Sequence, residues 1–232
     1  MITLHHLDNS RSQRILWMLE ELGLKYEVKY HKRDPKTLMA PQSLRDVHPL
    51  GKAPVLVDSI EGASETLVES GAILEYLVTK YGQGRLKPKP GSPEFLRYTF
   101  WMHFSEGSAM LPLVLKLIFN QIANPPIPLV AKLMILPVVK GIAIQMHKMV
   151  IDPSLLAQQK YMEDELKRSE WFAGSEFTAA DVIMSFVVEA SESGGGLPVS
   201  KYPMLNRFLE RIHSRPAYKK ALEVGGPFKM PG

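Results

Sequence analysis

The hydrophobic and polar positions in the first third of the chain alternate between strand spacing and helix spacing. The apolar run Ile2–Leu7 and the segment Tyr26–His31 predict two strands that flank a helix. Two further short strands are predicted at 55–58 and 64–68, with a turn between them. A helix over 70–81 follows. This order, β-α-β and then β-β-α, predicts a small mixed sheet covered by helices.

Residues 82–93 are rich in glycine, proline and basic residues and predict a linker. The segments beyond it show only helical periodicity. We therefore expect an α/β domain of thioredoxin-like layout at 1–81, the linker at 82–93 and an all-α domain at 94–232. The predicted helices of the second domain are 94–120, 128–150 with a kink at Pro137, 154–172 capped by Ser154, 178–191, 203–214 and 216–224.

Composition excludes several classes of site. The 232 residues include no cysteine, so the protein has no disulfide, no thiolate metal ligand and no thiol nucleophile of its own. The net charge is +4, but lysine and arginine are scattered, which argues against nucleic-acid binding. No metal site is predicted.

The segment Leu111–Val150 is strongly apolar, yet lysines and prolines interrupt it, among them Lys116, Lys132, Lys140, Pro125, Pro126, Pro128 and Pro137. This pattern does not favour a membrane span, and buried helices or a hydrophobic surface explain it better. The strand-like start of the chain does not resemble a signal peptide. We expect a cytoplasmic protein, with peripheral membrane association through this segment as the alternative.

The start of the first helix is a candidate anion site. Ser10 and Gln13 fit a capping box, and Gly23 is a stop signal. A hydroxyl and free backbone N–H groups at a helix N-terminus attract a phosphate, a carboxylate or a thiolate. Lowering a thiol pKa of 8.5 by two units takes about 2.7 kcal/mol, which such donors can supply. From these residues alone, Ser10 as a simple cap is the favoured interpretation.

Two further segments are candidate binding sites for a peptide-like ligand. In Gly51–Val55, the bond before Pro54 is a candidate cis peptide bond. The backbone of Ala53 could then pair with an extended peptide. From the residues alone, an ordinary turn is the favoured interpretation. Glu69 and Ser70 open another helix and suit the ammonium and carboxylate of an amino acid, with simple capping as the alternative. The capping box Thr178–Asp181 is interpreted as structural.

Taken together, these motifs resemble the cytosolic glutathione transferase family over nearly the whole chain, and most closely a fungal subgroup with bacterial relatives. The first helix start, Lys52–Val55, Glu69–Gly71 and Thr178–Asp181 follow the family's order and spacing. The motifs that indicate the subgroup are Tyr30–Asp34, His48–Gly51, Glu106–Ser108 and Asp181–Phe186.

The resemblance implies a glutathione-binding thioredoxin-like domain, an all-α domain with a hydrophobic acceptor site, and a homodimer. Glutathione is then the co-substrate. Ser10 matches the hydroxyl that stabilises the thiolate, while Asn9 and Ser12 remain alternatives because the register is open. The implied glutathione-binding residues are Arg11, His48, Lys52, Ala53, Pro54, Glu69 and Ser70, with the γ-glutamyl head group at the last two.

The acceptor site is expected between the first helix start and the helix from Glu94, with Pro125–Pro128 at its rim. Its candidates are Arg11, His103, Phe104, Gly107 and Met110, each of which could instead pack in a helical core. The expected activity is conjugation of glutathione to hydrophobic electrophiles, with a peroxidase activity on organic hydroperoxides beside it. The alternative is a non-catalytic protein that binds glutathione or a hydrophobic ligand.

Overall fold

The computed structural model describes residues 1–34, 39–60, 63–124, 128–192 and 201–226, without the side chains of 129–133. Four strands form one mixed sheet in the order β2-β1-β3-β4, in which β1 is parallel to β2 and antiparallel to β3. This confirms the predicted α/β part. The strands are β1 (Ile2–Leu7), β2 (Tyr26–His31), β3 (Val55–Ile60) and β4 (Ala63–Val68).

Helices flank the sheet and, with the loops that connect them, make up the rest of the described chain. Two π-helical segments, Ser105–Ala109 and His147–Ile151, interrupt the long helices. The helices are α1 (Ser12–Leu22), α2 (Gln42–Arg45), α3 (Ser70–Tyr81), α4 (Pro93–Phe104), α5 (Met110–Ala123), α6 (Leu129–Met146), α7 (Asp152–Arg168), α8 (Ala179–Ala190), α9 (Pro203–Ser214) and α10 (Pro216–Gly225). The predicted rim residues 125–127 lie outside the described residues.

The predicted start of the helix at Ser154 is wrong. α7 begins at Asp152, directly after a π-helical segment, so the chain is already helical there. The Ser154 hydroxyl donates backwards to the carbonyl of Val150 at 2.6 Å and caps nothing. The helix also ends at Arg168, before Phe172.

The predicted capping box of Ser10 and Gln13 is wrong as well. Arg11 is the N-cap residue of α1, and its side chain makes no capping hydrogen bond. The Ser10 hydroxyl oxygen instead accepts from the backbone N–H of Ser12 at 3.2 Å, because Ser10 still belongs to the turn that follows β1. The predicted stop is confirmed, since Gly23 ends α1 in the left-handed region at φ 66°.

The α/β part and the helical part share one core, in which α1 lies against α3, α8 and α10. The predicted capping box at the start of α8 is confirmed. Asp181 is fully buried and accepts from the backbone N–H groups of Phe172 and Thr178, each at 2.8 Å. Burial raises the pKa of Asp181 to about 6. These bonds fix the N-terminal end of α8.

Candidate active site

The three predicted glutathione-binding segments converge on one edge of the sheet. Val55 at the start of β3 pairs with Val68 at the end of β4. Val55 also shares a small apolar cluster with Leu7, the last residue of β1, and with Ala53. The start of α1 follows β1, Ala53 precedes β3, and Glu69 follows β4. Chain connectivity therefore brings all three segments to the same edge.

A chain of hydrogen bonds runs inward from the start of α1. The Ser10 and Ser12 hydroxyl oxygens lie 2.7 Å apart, and Ser12 Oγ lies 2.8 Å from His6 Nδ1. On its other side, His6 Nε2 lies 3.1 Å from the carbonyl oxygen of Gly225, the last residue of α10. Ser10, Ser12 and His6 are all buried.

The direction in which these hydrogen bonds are donated follows from His6, at their inner end. Burial lowers the pKa of His6, so the ring is neutral near pH 7 and carries one proton. The carbonyl of Gly225 can only accept, which places that proton on Nε2 and leaves Nδ1 as an acceptor. Ser12 therefore donates to His6, and Ser10 in turn donates to Ser12. Both hydroxyl protons are committed to partners inside the protein.

Asn9 differs from the two serines because it is exposed. Its backbone lies at φ 49°, in the left-handed region that asparagine tolerates better than most residues. The backbone carbonyl oxygen of Asn9 accepts from Arg33 Nη2 at 3.4 Å. Of the three candidate thiolate donors, Asn9 alone has a side chain that faces solvent.

A buried arginine links the start of α1 to the helical part. Arg14 is 2% exposed and donates to Glu106 at 2.6 Å and to the carbonyl of Ile183 at 2.9 Å. Glu106, in the first π-helical segment, also accepts from Arg11 at 2.8 Å. The Arg14 guanidinium lies 5.0 Å from the ring centroid of Phe186. Burial lowers the pKa of Arg14, and the charge of Glu106 opposes that effect.

Arg14 also contacts the predicted head-group segment, Glu69-Ser70. Arg14 Nη2 donates to the hydroxyl oxygen of the buried Ser70 at 3.3 Å. The preceding Glu69 is exposed and has φ 70° and ψ 122°, which is rare for a residue other than glycine. Such strain persists where the surrounding structure enforces it, and it is concentrated at functional sites.

The third segment precedes β3. The peptide bond between Ala53 and Pro54 is cis, so the ordinary turn favoured from the residues alone is wrong. Within the described parts of the chain, no hydrogen bond engages the backbone of Ala53. Lys52 beside it is exposed, and His48 is half-buried, with Nδ1 accepting from the backbone N–H of Leu50 at 3.4 Å.

The candidate acceptor residues do not form one surface. His103 is exposed on α4, and Met110 is buried in the core. Phe104 packs with Trp101 at a centroid distance of 5.2 Å in a cluster of aromatic rings. Gly107 is exposed in the first π-helical segment, next to Glu106 and therefore near the start of α1. For Phe104 and Met110, packing accounts for the position.

A cleft of about 940 Å³ lies elsewhere, between the segment after α3 and the loop before α8. Its walls include Lys87, Trp171, Phe177 and Arg215, and none of the predicted site residues line it. In the part of the chain that the structure describes, no three His, Asp or Glu side chains are arranged to bind a metal ion.

Comparison with known proteins identifies the family to which the chain belongs. Residues 10–80 match the family model for the glutathione S-transferase N-terminal domain, and residues 128–216 match the model for its C-terminal domain. The chain is 36% identical to glutathione S-transferase 3 of Schizosaccharomyces pombe over 96% of this chain and 87% of that protein. The chain belongs to the glutathione S-transferase family. Both the predicted family and the predicted two-part fold are confirmed.

Solved structures agree with this assignment. A glutathione S-transferase from Actinobacillus pleuropneumoniae is 29% identical, with a TM-score of 0.72 over 97% of this chain and 93% of that chain. A glutathione transferase homolog from Lodderomyces elongisporus, solved with two GSH per subunit, has the same fold with a TM-score of 0.72. It is 22% identical and covers 97% of this chain and 99% of that chain.

Sequence reasoning missed the roles of Arg14 and Glu106 in this transferase. Arg14 lies immediately before Ile15 on the helix face that packs in the core. A buried arginine needs an opposite charge, so its position in that face was the available signal. The sequence gives no indication that the opposite charge is Glu106, which lies 92 residues further along the chain.

Proposed function

We propose that this member of the family conjugates the glutathione thiolate to hydrophobic electrophiles. The observation that supports the proposal best is the convergence of the α1 start, Ala53 and Glu69-Ser70 on one sheet edge. A tripeptide thiol laid across that edge meets a group suited to each of its parts. We include reduction of organic hydroperoxides in the proposal, because the same activated thiolate would attack a peroxide oxygen.

The head group is assigned to Glu69 and Ser70. The Ser70 oxygen accepts from Arg14, so its own proton remains available to a ligand carboxylate. The buried charge of Arg14 lies behind that hydroxyl and adds favourable potential for an anion. Glu69 is exposed, so its carboxylate is accessible to an ammonium group.

The backbone of the ligand is assigned to the segment before β3. Ala53 offers an N–H and a carbonyl to the central residue of glutathione, as in strand addition. Lys52 is exposed and carries the charge that suits the C-terminal carboxylate. His48 and Arg11 are assigned to the surroundings of the ligand, with Arg11 held by Glu106.

The thiolate donor in this proposal is Asn9. Ser10 and Ser12 are buried and their hydroxyl protons are donated inward, and Asn9 is the exposed residue of the three at the start of α1. An amide N–H and the N-terminus of a helix both favour the charged form of a thiol. Catalysis then comes from an ionised nucleophile held close to its acceptor.

The acceptor site, the homodimer and the cytoplasmic location belong to the same proposal. We assign Gly107 and His103 to the acceptor site, because the ion pair between Glu106 and Arg11 joins the first π-helical segment to the start of α1. The alternative is a protein that binds glutathione without activating it. The two differ in a single measurable quantity, the pKa of bound glutathione.

The experiment is ultraviolet difference spectroscopy of glutathione bound to the purified protein, titrated with pH. We expect a thiolate signal that titrates about two units below the free thiol value of 8.5. Asn9→Ala should return that pKa toward 8.5, whereas Ser10→Ala should leave it low. Ser70→Ala should weaken glutathione binding without changing the pKa of the bound thiol. Binding with an unshifted pKa would refute the catalytic proposal, and loss of the shift in Ser10→Ala alone would refute the choice of Asn9.

A further inference from the structure

Helix α6 is mostly apolar around its whole circumference and yet exposed. The exposed fractions are 78% for Met134, 64% for Val138, 54% for Ile142 and 66% for Ile144. Among the side chains of α6 that the structure describes, only Ala143 is buried. A helix that is hydrophobic all round is normally enclosed by protein or lipid. The surface of α6 therefore requires a partner that covers it.

Helix α5 packs against α6 and extends this surface. We call α5 and α6 together the apolar hairpin. On α5, four aliphatic side chains are exposed by between 37% and 59%, namely Leu111, Val114, Ile118 and Ile122. Contiguous apolar surface of this kind marks a site of interaction with a protein or a membrane. Of the two interpretations of this segment, a hydrophobic surface agrees with the exposed side chains of α5 and α6, and buried helices do not.

The charge of the segment indicates which partner it meets. Between Glu106 and Asp152 the chain has no acidic residue, although it has 24 in total, and it has four lysines. Lys140 and Lys148 are exposed. In a symmetric contact with a second copy, the same lysines would face each other without acidic counter-charges from the segment. A bilayer that contains anionic lipids offers hydrocarbon and negative charge together.

The depth of contact is limited by the helix that follows. The helical stretch Met134–Arg168 contains an 18-residue window of mean hydropathy 1.4, of which 11% is buried, so it is long and apolar enough to cross a membrane. Its second half, α7, buries Leu155, Met162 and Leu166 in the protein core. The stretch therefore cannot cross a bilayer while the fold is intact. It can only lie on the surface of one.

We propose that the apolar hairpin docks the protein on the surface of an anionic lipid bilayer. The exposed aliphatic side chains enter the boundary between headgroups and acyl chains, and Lys140 and Lys148 contact the anionic headgroups. The protein remains peripheral and keeps its fold. This inference does not depend on the proposed activity, because no residue of the candidate active site takes part in it.

The absence of cysteine permits a direct test. Val138→Cys gives a single thiol that can be labelled with an environment-sensitive fluorophore. Leu96→Cys is the matched control, since Leu96 is 72% exposed but lies in the first turn of α4, outside the hairpin. We expect a blue shift of the label at position 138, and none at 96, with vesicles of phosphatidylcholine and phosphatidylserine. Vesicles of phosphatidylcholine alone should bind more weakly.

Flotation of the unlabelled protein with the same vesicles measures the two contributions separately. Val138→Asp should abolish flotation, and replacing Lys140 and Lys148 by Gln should weaken binding about fivefold per lysine. Light scattering and thermal unfolding without vesicles check that assembly and fold are unchanged. The proposal is overturned if the wild-type protein does not float with anionic vesicles. It is also overturned if Val138→Asp splits an oligomer and leaves flotation intact, because the hairpin would then cover a second copy.

Discussion

Replacing Glu106 by Gln tests the arginine link between the α1 start and the helical part. Glu106 is the carboxylate that contacts both Arg11 and Arg14. Arg14 is 2% exposed, so loss of that carboxylate leaves a guanidinium buried beside neutral partners, the carbonyl of Ile183 and the Ser70 hydroxyl. The fold then carries a charge that it cannot solvate.

The expected cost follows from this burial. Removing one partner of a fully buried ion pair costs about 3–5 kcal/mol. The Glu106 side chain is 28% exposed, which places the expected loss near the lower end, at about 3 kcal/mol. In a domain of this size, each kcal/mol lowers Tm by about 2–4 °C, so we expect a decrease of about 6–12 °C.

Urea unfolding of the two single variants Glu106→Gln and Arg11→Gln separates burial from pairing. Arg11 is 35% exposed and bonds to the same carboxylate, and a pair of this exposure contributes about 1 kcal/mol or less. Glu106→Gln should therefore cost about three times as much as Arg11→Gln. Equal losses in the two variants would refute the argument that the burial of Arg14 makes Glu106 necessary.

Two further predictions concern stability. A Cβ at Gly225 would lie 2.2 Å from Gln13 Oε1 and 2.6 Å from Leu16 Cδ1, so Gly225→Ala should cost about 1–3 kcal/mol in urea unfolding. Gly141→Ala, with open space around it, should stabilise by about 0.5–1 kcal/mol, and a loss as large as that of Gly225→Ala would contradict the steric reasoning. Burial lowers the pKa of His5 to about 4, so the unfolded chain binds this proton first. The contribution of His5 to the free energy of unfolding should therefore fall by about 3 kcal/mol as pH drops from 7 to 4. Unfolding at several pH values checks this, and His5→Gln should flatten the profile.

The secondary structure was largely predictable because it depends on which residues are buried. The apolar run Ile2–Leu7 and the helical spacing in Ser70–Tyr81 follow the burial of these segments, and both elements lie where the pattern indicated. The π-helical segments left no such signal, because each is a single turn inside a longer helical stretch and the spacing on both sides of it is helical. The cap assigned to Ser154 failed for this reason.

The candidate site was predictable only in part. Chain order gives the three segments that meet at the sheet edge, since each lies at the end of a predictable strand. The state of the Ser10 hydroxyl could not be predicted, because it depends on His6 and, through His6, on Gly225. Contacts between residues far apart in the chain leave no local pattern, and they decide which candidate faces solvent.

The hydrogen bond from His6 to Gly225 also has a consequence for biosynthesis. It joins positions 219 residues apart, so the ring of His6 is not oriented until nearly the whole chain has left the ribosome. At about 5–20 residues per second, the first strand waits roughly ten to forty seconds for its last partner. A nascent chain that has already paired its strands therefore still lacks the final order at the start of α1, and a product truncated before α10 never acquires it.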